Sequence, residues 1–391
     1  MANEGAIGNW EALATKALKG APLSDLDASA APYTGNDGTI APFALPASPV
    51  YSGRANAGPW SVVARVETDG DAAAGATGED LMNGADALSL VFAGAPTAFG
   101  RGMGANNLAA LEAALEGVEL SAVSIGLEAG RRGGEALALF LALCRDKKAT
   151  PAAFHAGLDA ILAGDRLCEG LALCNAAHLR GTVALADGRI AAEAGAAPAR
   201  EVAFAALSLA AALKSFDDGG IGPAKALPRI AVALSASQDQ FATIAKLRAM
   251  RRLHAMIAKA CKVKAPLHLS ATTEQRMLSV TDPHTNLLRL TVASMGAAIG
   301  GADAITVLPF EPSGRPFARR MSRNIQRLML EEAHVARLFD PAAGSGSLEA
   351  LTDTIAEAAW DLFKAHGAGN RDALLDGRFA ALVAEDEAAE R

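Results

Sequence analysis

The stretch Leu267–Phe310 constrains the fold of this chain more than any other. It begins with a short apolar run, Leu267–Leu269, that reads as a buried strand. A polar loop follows. Asp282-Pro283 then opens a helix, because Pro is tolerated in the first helical turn and Asp accepts orphan N–H groups there. The helix spans Thr285–Ile299 and stops at Gly300-Gly301, glycines of the kind that follow a helix C-terminus. A second apolar strand, Ala304–Leu308, comes directly after. Strand, helix and strand in this order form one βαβ unit, the building block of parallel sheets.

The same alternation fills the chain before it. Trp60–Val66, Leu88–Phe92, Ala122–Leu127, Gly157–Leu162, Thr182–Ala186 and Ile230–Leu234 are strand-like. Helical stretches lie between them at Glu79–Ala85, Asn106–Leu115, Ala136–Cys144, Leu167–Leu179, Arg200–Lys214 and Phe241–Lys259. The last carries Ile244, Leu247, Met250, Leu253 and Ile257 at the period of one helix face. Eight units in series, with no nucleotide-type glycine loop after the first, predict a (β/α)8 TIM barrel over residues 56–330. Residues 1–55 read as an extended arm, with a short helix at Trp10–Leu18, a turn at Asn36-Asp37-Gly38, and Phe43, Leu45, Pro49 and Tyr51 to lay on another surface. Met321–Arg337 is amphipathic, and within residues 331–391 closing helices are expected at Leu351–Ala365 and Arg371–Ala384.

Composition narrows the function. The net charge of −7 argues against a general nucleic-acid surface. No apolar run reaches eighteen residues and the N-terminus lacks a signal-peptide pattern, so a cytoplasmic protein with no membrane partner is expected. Cys144, Cys168, Cys174 and Cys261 form no CxxC pair and read as buried thiols. The histidines show no metal-ligand spacing, so no metal is expected. Gly100-Arg-Gly-Met-Gly lacks the third glycine of a dinucleotide loop and reads as a βα loop. Asp282-Pro-His284 has the spacing of an Asp-x-His cobalamin signature, but Leu287 stands in its glycine position, and the segment reads as a helix cap. No Gly-x-Ser-x-Gly elbow is present.

Several stretches together resemble the methylmalonyl-CoA mutase family. They are Pro59-Trp60, Gly84–Phe92, Glu193-Ala-Gly-Ala, Phe241–Leu253, Asp282-Pro283 with Asn286 and Arg289, Gly300–Phe310, and Asp340-Pro-Ala-Ala-Gly-Ser. The resemblance implies a barrel that threads coenzyme A along its axis, with adenosylcobalamin held between the barrel and a separate C-terminal domain. It also implies which positions carry chemistry, and there this chain departs. Gly58 stands where catalytic members have the Arg of Arg-Pro-Trp, and Arg65 where they have a Tyr over the radical site. Arg189 and Ile190 replace a Tyr-His pair whose His supports the thioester carbonyl. Ser270 and Thr272 fall in place of the His and Gln of His-x-Gln-Thr-Ser-Gly.

The expectation is therefore a non-catalytic small subunit, with no catalytic residue and no cofactor of its own. Its partner would be a mutase large subunit that holds adenosylcobalamin and interconverts succinyl-CoA and methylmalonyl-CoA. Trp60, Asp282, Asn286 and Arg289 are expected to be structural, and a C-terminal cobalamin-type domain is expected to be missing. Two alternatives stand: a substrate-binding barrel whose cobalamin domain is a separate chain, and a standalone acyl-CoA-binding protein.

Overall fold

Eight parallel strands form a closed barrel. They are β1 (Ser61–Val66), β2 (Ala87–Val91), β3 (Ser124–Glu128), β4 (Ala153–Asp159), β5 (Gly181–Asp187), β6 (Ile230–Ala236), β7 (His268–Thr273) and β8 (Ala304–Thr306). Each pairs with the next in sequence, and β8 returns to β1 with Ala304 opposite Ser61. Around them run α1 (Gly70–Met82), α2 (Leu108–Ala114), α3 (Gly133–Lys147), α4 (Arg166–Ala176), α5 (Pro198–Asp218), α6 (Gln240–Ala260), α7 (Thr285–Ile299) and α8 (Pro316–Glu331). Among the described residues, α9 (Gly346–His366) and α10 (Arg378–Glu390) follow. This computed structural model describes residues 51–54, 57–311, 314–367 and 378–390, two short antiparallel strands at Tyr33–Gly35 and Gly38–Ile40, and a few single positions. The helix expected at Trp10–Leu18 lies almost wholly outside the described residues, and Asn36, Asp37, Phe43, Leu45 and Pro49 lie outside them entirely.

The strands read as apolar because a parallel sheet is covered on both faces. Every residue of β2 and β6 is buried. The outward side chains meet the helices: Phe154 of β4 stacks on Phe140 of α3 with ring centroids 4.7 Å apart. The inward positions differ from an ordinary barrel of this kind, which fills its interior with bulky branched side chains. Ser61, Ala87, Gly126, Ala153, Ala231 and Ala304 point inward instead and leave space along the axis.

Several elements differ from expectation: β7 extends to Thr273, β8 stops at Thr306, α10 spans Arg378–Glu390, and three others differ for a local reason. β4 spans Ala153–Asp159 rather than Gly157–Leu162. The Asp159 carboxylate accepts the N–H groups of Ile161 and Leu162 at 2.9 and 2.7 Å, which turns that apolar pair out of the strand. Helix α1 begins at Gly70, well before Glu79, because the Ala-rich run propagates a helix until Asn83 and the positive φ of Gly84 end it. The helix expected at Met321–Arg337 is α8, which starts at Pro316, a residue suited to a first turn, and is followed by a break at His334 with φ 53°. Gly301 ends α7 as anticipated. Its φ is 87°, and a Cβ there would meet the Gly53 Cα at 3.0 Å.

Both flanks of the barrel meet on α6. Arg248, fully buried, pairs with Asp340 and, at 2.8 Å, with Glu349. The Ser52 N–H donates to the second Asp340 oxygen at 2.7 Å, and Arg252 Nε donates to the Ser52 hydroxyl at 2.9 Å. Helix α9 lies across α5 and α6 on the same side.

Candidate functional site

The small inward side chains enclose an axial cavity of about 290 Å³. Its lining adds hydroxyls from Ser89, Thr182, Ser270 and Thr272, and two imidazoles, His155 and His268. The strand period places these side chains, since alternate residues of each strand face the axis.

At the C-terminal ends of the strands, where barrel enzymes do their chemistry, the interior is filled by an ion network. Arg189 grips Asp187 with Nε and Nη2 at 2.8 and 2.7 Å and donates from Nη1 to the Thr272 hydroxyl at 3.0 Å. The same guanidinium lies 3.3 Å from Glu128. Glu128 also accepts from the Ser89 hydroxyl at 2.5 Å and from the Thr97 hydroxyl. Arg65 completes the set: it lies 3.9 Å from Glu128 and 3.3 Å from Glu67, and donates to the Thr97 carbonyl at 2.6 Å. Burial alone would raise the Glu128 carboxyl. The Arg189 and Arg65 charges, helped by the two hydroxyls, outweigh it and hold the group down to about 2. Burial likewise works against the Arg189 charge, but Asp187 and Glu128 reverse the sign and keep it firmly protonated.

The other site positions fall as follows. Ile190 lines a small separate cavity of about 20 Å³ beyond the network. Ser270 faces the axial cavity and donates weakly to the Val232 carbonyl at 3.4 Å. Gly58 sits before β1, at the opposite end of the barrel, with φ 147° and its N–H on the Ala336 carbonyl. Trp60 is buried and its Nε1–H donates to Gln326 Oε1 at 3.0 Å. Asn286 fixes the loop after β7: it accepts the Ser279 N–H at 2.8 Å and donates to the Ser279 and Phe310 carbonyls at 2.9 and 2.8 Å. Arg289 donates to Asn286 and to the Met277 carbonyl. Asp282 accepts from the Thr285 N–H and hydroxyl, the cap its position suggested. Arg65, Arg189 and Thr272 are thus brought together, while Gly58, Trp60 and the Asp282–Arg289 group lie elsewhere.

Glu128, Asp187 and Glu67 are partners that the sequence did not single out. Their signal was present: charged residues at or just past the ends of β1, β3 and β5 in the inward register, where a parallel barrel strand should carry none unpaired. A second buried cluster was also missed. Lys246 Nζ donates to Glu201 and Ser235 at 2.6 and 2.7 Å, and Ser235 donates on to Glu274 at 2.7 Å. The serine is not activated by this lysine. Burial lowers the Lys246 affinity for its proton, but Glu201 and Glu274 more than restore it, so no free amine is available as a base. Among the described residues, no group of three or more His, Cys, Asp or Glu side chains is arranged to hold a metal. The Gly100–Gly104 loop spends its backbone donors on protein: Gly102 on the Glu67 carbonyl, Met103 on Val91 and Gly104 on Asp69. No helix in the described residues is long and apolar enough to cross a membrane.

Fold and site define a (β/α)8 barrel whose C-terminal mouth is occupied by the protein's own charges. Residues 165–389 match the methylmalonyl-CoA mutase family, and the chain belongs to it. It is 38% identical over 331 residues to the methylmalonyl-CoA mutase small subunit of Streptomyces virginiae, which covers 78% of this chain and 52% of that protein. The small subunit of Porphyromonas gingivalis is 38% identical over 179 residues, 44% of this chain and 29% of the other. The methylmalonyl-CoA mutase large subunit of the same organism is 31% identical over 179 residues, 44% of this chain and 25% of the other. The chain therefore spans about half the length of the first of these relatives and less of the others.

Proposed function

We propose that this chain is a catalytically silent mutase-like barrel that pairs with a larger catalytic chain and stabilises it. The partner would carry adenosylcobalamin and the interconversion of succinyl-CoA and methylmalonyl-CoA. The observation that carries this reading is the ion network at the barrel mouth. Radical rearrangement needs donors that seat a carbonyl and a dry space that shields the intermediate. Here Arg65 and Arg189 are spent on Glu67, Glu128 and Asp187, and Ile190 offers no donor from its side chain. The small-subunit names of the relatives support the same reading.

No residue of this chain is assigned to the cofactor. Asp282 spends its carboxylate on Thr285 rather than on the His284 ring, which argues against the one pair whose spacing suggested a lower cobalamin ligand. The axial cavity favours a second reading, a barrel that still takes an acyl-CoA for a cobalamin domain on another chain. One experiment separates them. Co-expressed with a mutase large subunit, this chain should purify as an equimolar complex. Mixed with isolated cobalamin domains and acyl-CoA substrates, it should give no turnover. Turnover without a large subunit would end the first reading.

A further inference from the structure

The axial cavity has two internal ties. At the C-terminal end it is closed by Glu128 and Arg189, whose side chains are 11% and 7% exposed. The smaller cavity beyond them shares those two residues as a common wall. Further down the axis, His155 of β4 and His268 of β7 meet across the interior, ring centroids 4.2 Å apart and planes within 20°. Their strands are not neighbours: β5 and β6 lie between them on one side, and β8 and β1 to β3 on the other. The ring pair narrows the passage there, and the cavity continues past it to Glu128 and Arg189.

The interior also has a definite polarity. At its closed end three arginines, Arg65, Arg101 and Arg189, face three carboxylates, Glu67, Glu128 and Asp187, so the charges cancel. The His155 Nδ1 is 2.8 Å from the Thr182 hydroxyl, and burial keeps both imidazoles neutral at pH 7. A carboxylate or phosphate entering this space would lose its hydration and meet no uncompensated cation. An uncharged polar head would find serine and threonine hydroxyls.

We propose that the barrel interior is a closed-end chamber for a short uncharged ligand with an apolar stem and one amide-like head, and that its two ties stop a longer chain from threading the barrel. This concerns the chain's own interior and holds or fails independently of the pairing proposed above. The test is calorimetric titration of the full chain with a series of primary amides. Affinity should rise about fourfold per methylene from propanamide to pentanamide, as expected for burying each CH₂, and then stay level through octanamide. Pentanoate at pH 7 should bind at least about tenfold more weakly than pentanamide. Gly126→Leu supplies the site control. A Cβ at Gly126 meets nothing closer than 3.9 Å, so the added side chain enters the cavity. It should weaken pentanamide binding about tenfold with the thermal midpoint unchanged, and Gly126→Ala should move it less in the same direction. A continued rise to octanamide, equal binding of pentanoate, indifference to both Gly126 variants, or no saturable binding would each overturn the proposal.

Discussion

Arg189 shows how a single side chain can close a site that its backbone position would otherwise open. It stands just past β5, at the end of the barrel where catalytic groups belong, yet four of its contacts are to Asp187, Glu128 and Thr272. His155 is the residue with the clearest measurable consequence. Burial first, and then the neighbouring His268, lowers it to about 3. An unfolded histidine titrates at about 6.5, so below that pH the unfolded chain binds a proton that the native chain refuses. The stability from this group is therefore full above about pH 6.5 and falls as the pH drops toward 3. Between pH 7 and pH 5 the loss comes to about 2 kcal/mol. His155→Phe keeps a ring against His268 but cannot titrate, so urea unfolding at the two pH values should show about 2 kcal/mol less pH dependence than the parent chain. An unchanged difference would mean that His155 does not stay neutral in the fold. Site residues were legible in the sequence only in part, for a physical reason. Arg65 and Arg189 stood out as departures from a family pattern. Glu128 and Asp187 did not, because strand period says which way a side chain points but not which distant strand supplies its counter-charge.

At the scale of elements, periodicity and glycine carried most of the reading. In the βαβ unit from β7 to β8 the helix was legible at both ends, because a proline start, an apolar face and Gly300-Gly301 mark α7, while β7 extends to Thr273 rather than ending at Leu269 and β8 stops at Thr306 rather than Leu308. β4 was not, because its inward residues are Ala153, His155 and Gly157, too small or too polar to look like a buried strand. Its partner register shifts between His155 and Leu158, where Gly157 takes φ 60° and a Cβ would meet the Leu127 carbonyl oxygen at 1.9 Å. Helix α1 was placed too late because alanine carries little amphipathic signal while favouring helix strongly. The start of α7 is also where an element can be tested. Asn286 is fully buried and satisfies Ser279 and Phe310 backbone groups that no helix or strand ladder reaches. Asn286→Ala would strand those groups, at a cost of about 2–4 kcal/mol in chemical unfolding. The exposed Arg320→Ala on α8 should change stability by less than about 0.5 kcal/mol. A comparable small loss for both would show that the loop after β7 is held by something other than Asn286.

The whole molecule is tied together at α6, away from the barrel axis. Arg248 is the centre of that tie: its side chain has no exposed surface, and it holds Asp340 and Glu349, residues distant in sequence. Asp340 in turn accepts the Ser52 N–H, while Arg252 reaches Ser52, Glu349 and Asp353. Arg54 donates to the carbonyls of Ala298 and Ala302 at the end of α7 and lies over the Trp60 ring. The segment before β1 and the helix after the barrel thus share one buried set of charges, and Arg54 joins that segment to the turn that follows α7 through backbone carbonyls. Such a set adds little net stability as a whole, because the desolvation of its ions offsets their attraction, but removing one member leaves the others buried and unpaired. Asp340→Asn should therefore cost about 3–5 kcal/mol, far more than the loss of a surface pair. It should also act on both flanks at once. In hydrogen exchange, amides at 51–54 and in α9 should lose protection together, by a similar factor, while β2 and β6 keep theirs. Loss confined to α9 would mean that the two flanks are held separately, and that the shared carboxylate is a coincidence of packing rather than the joint between them.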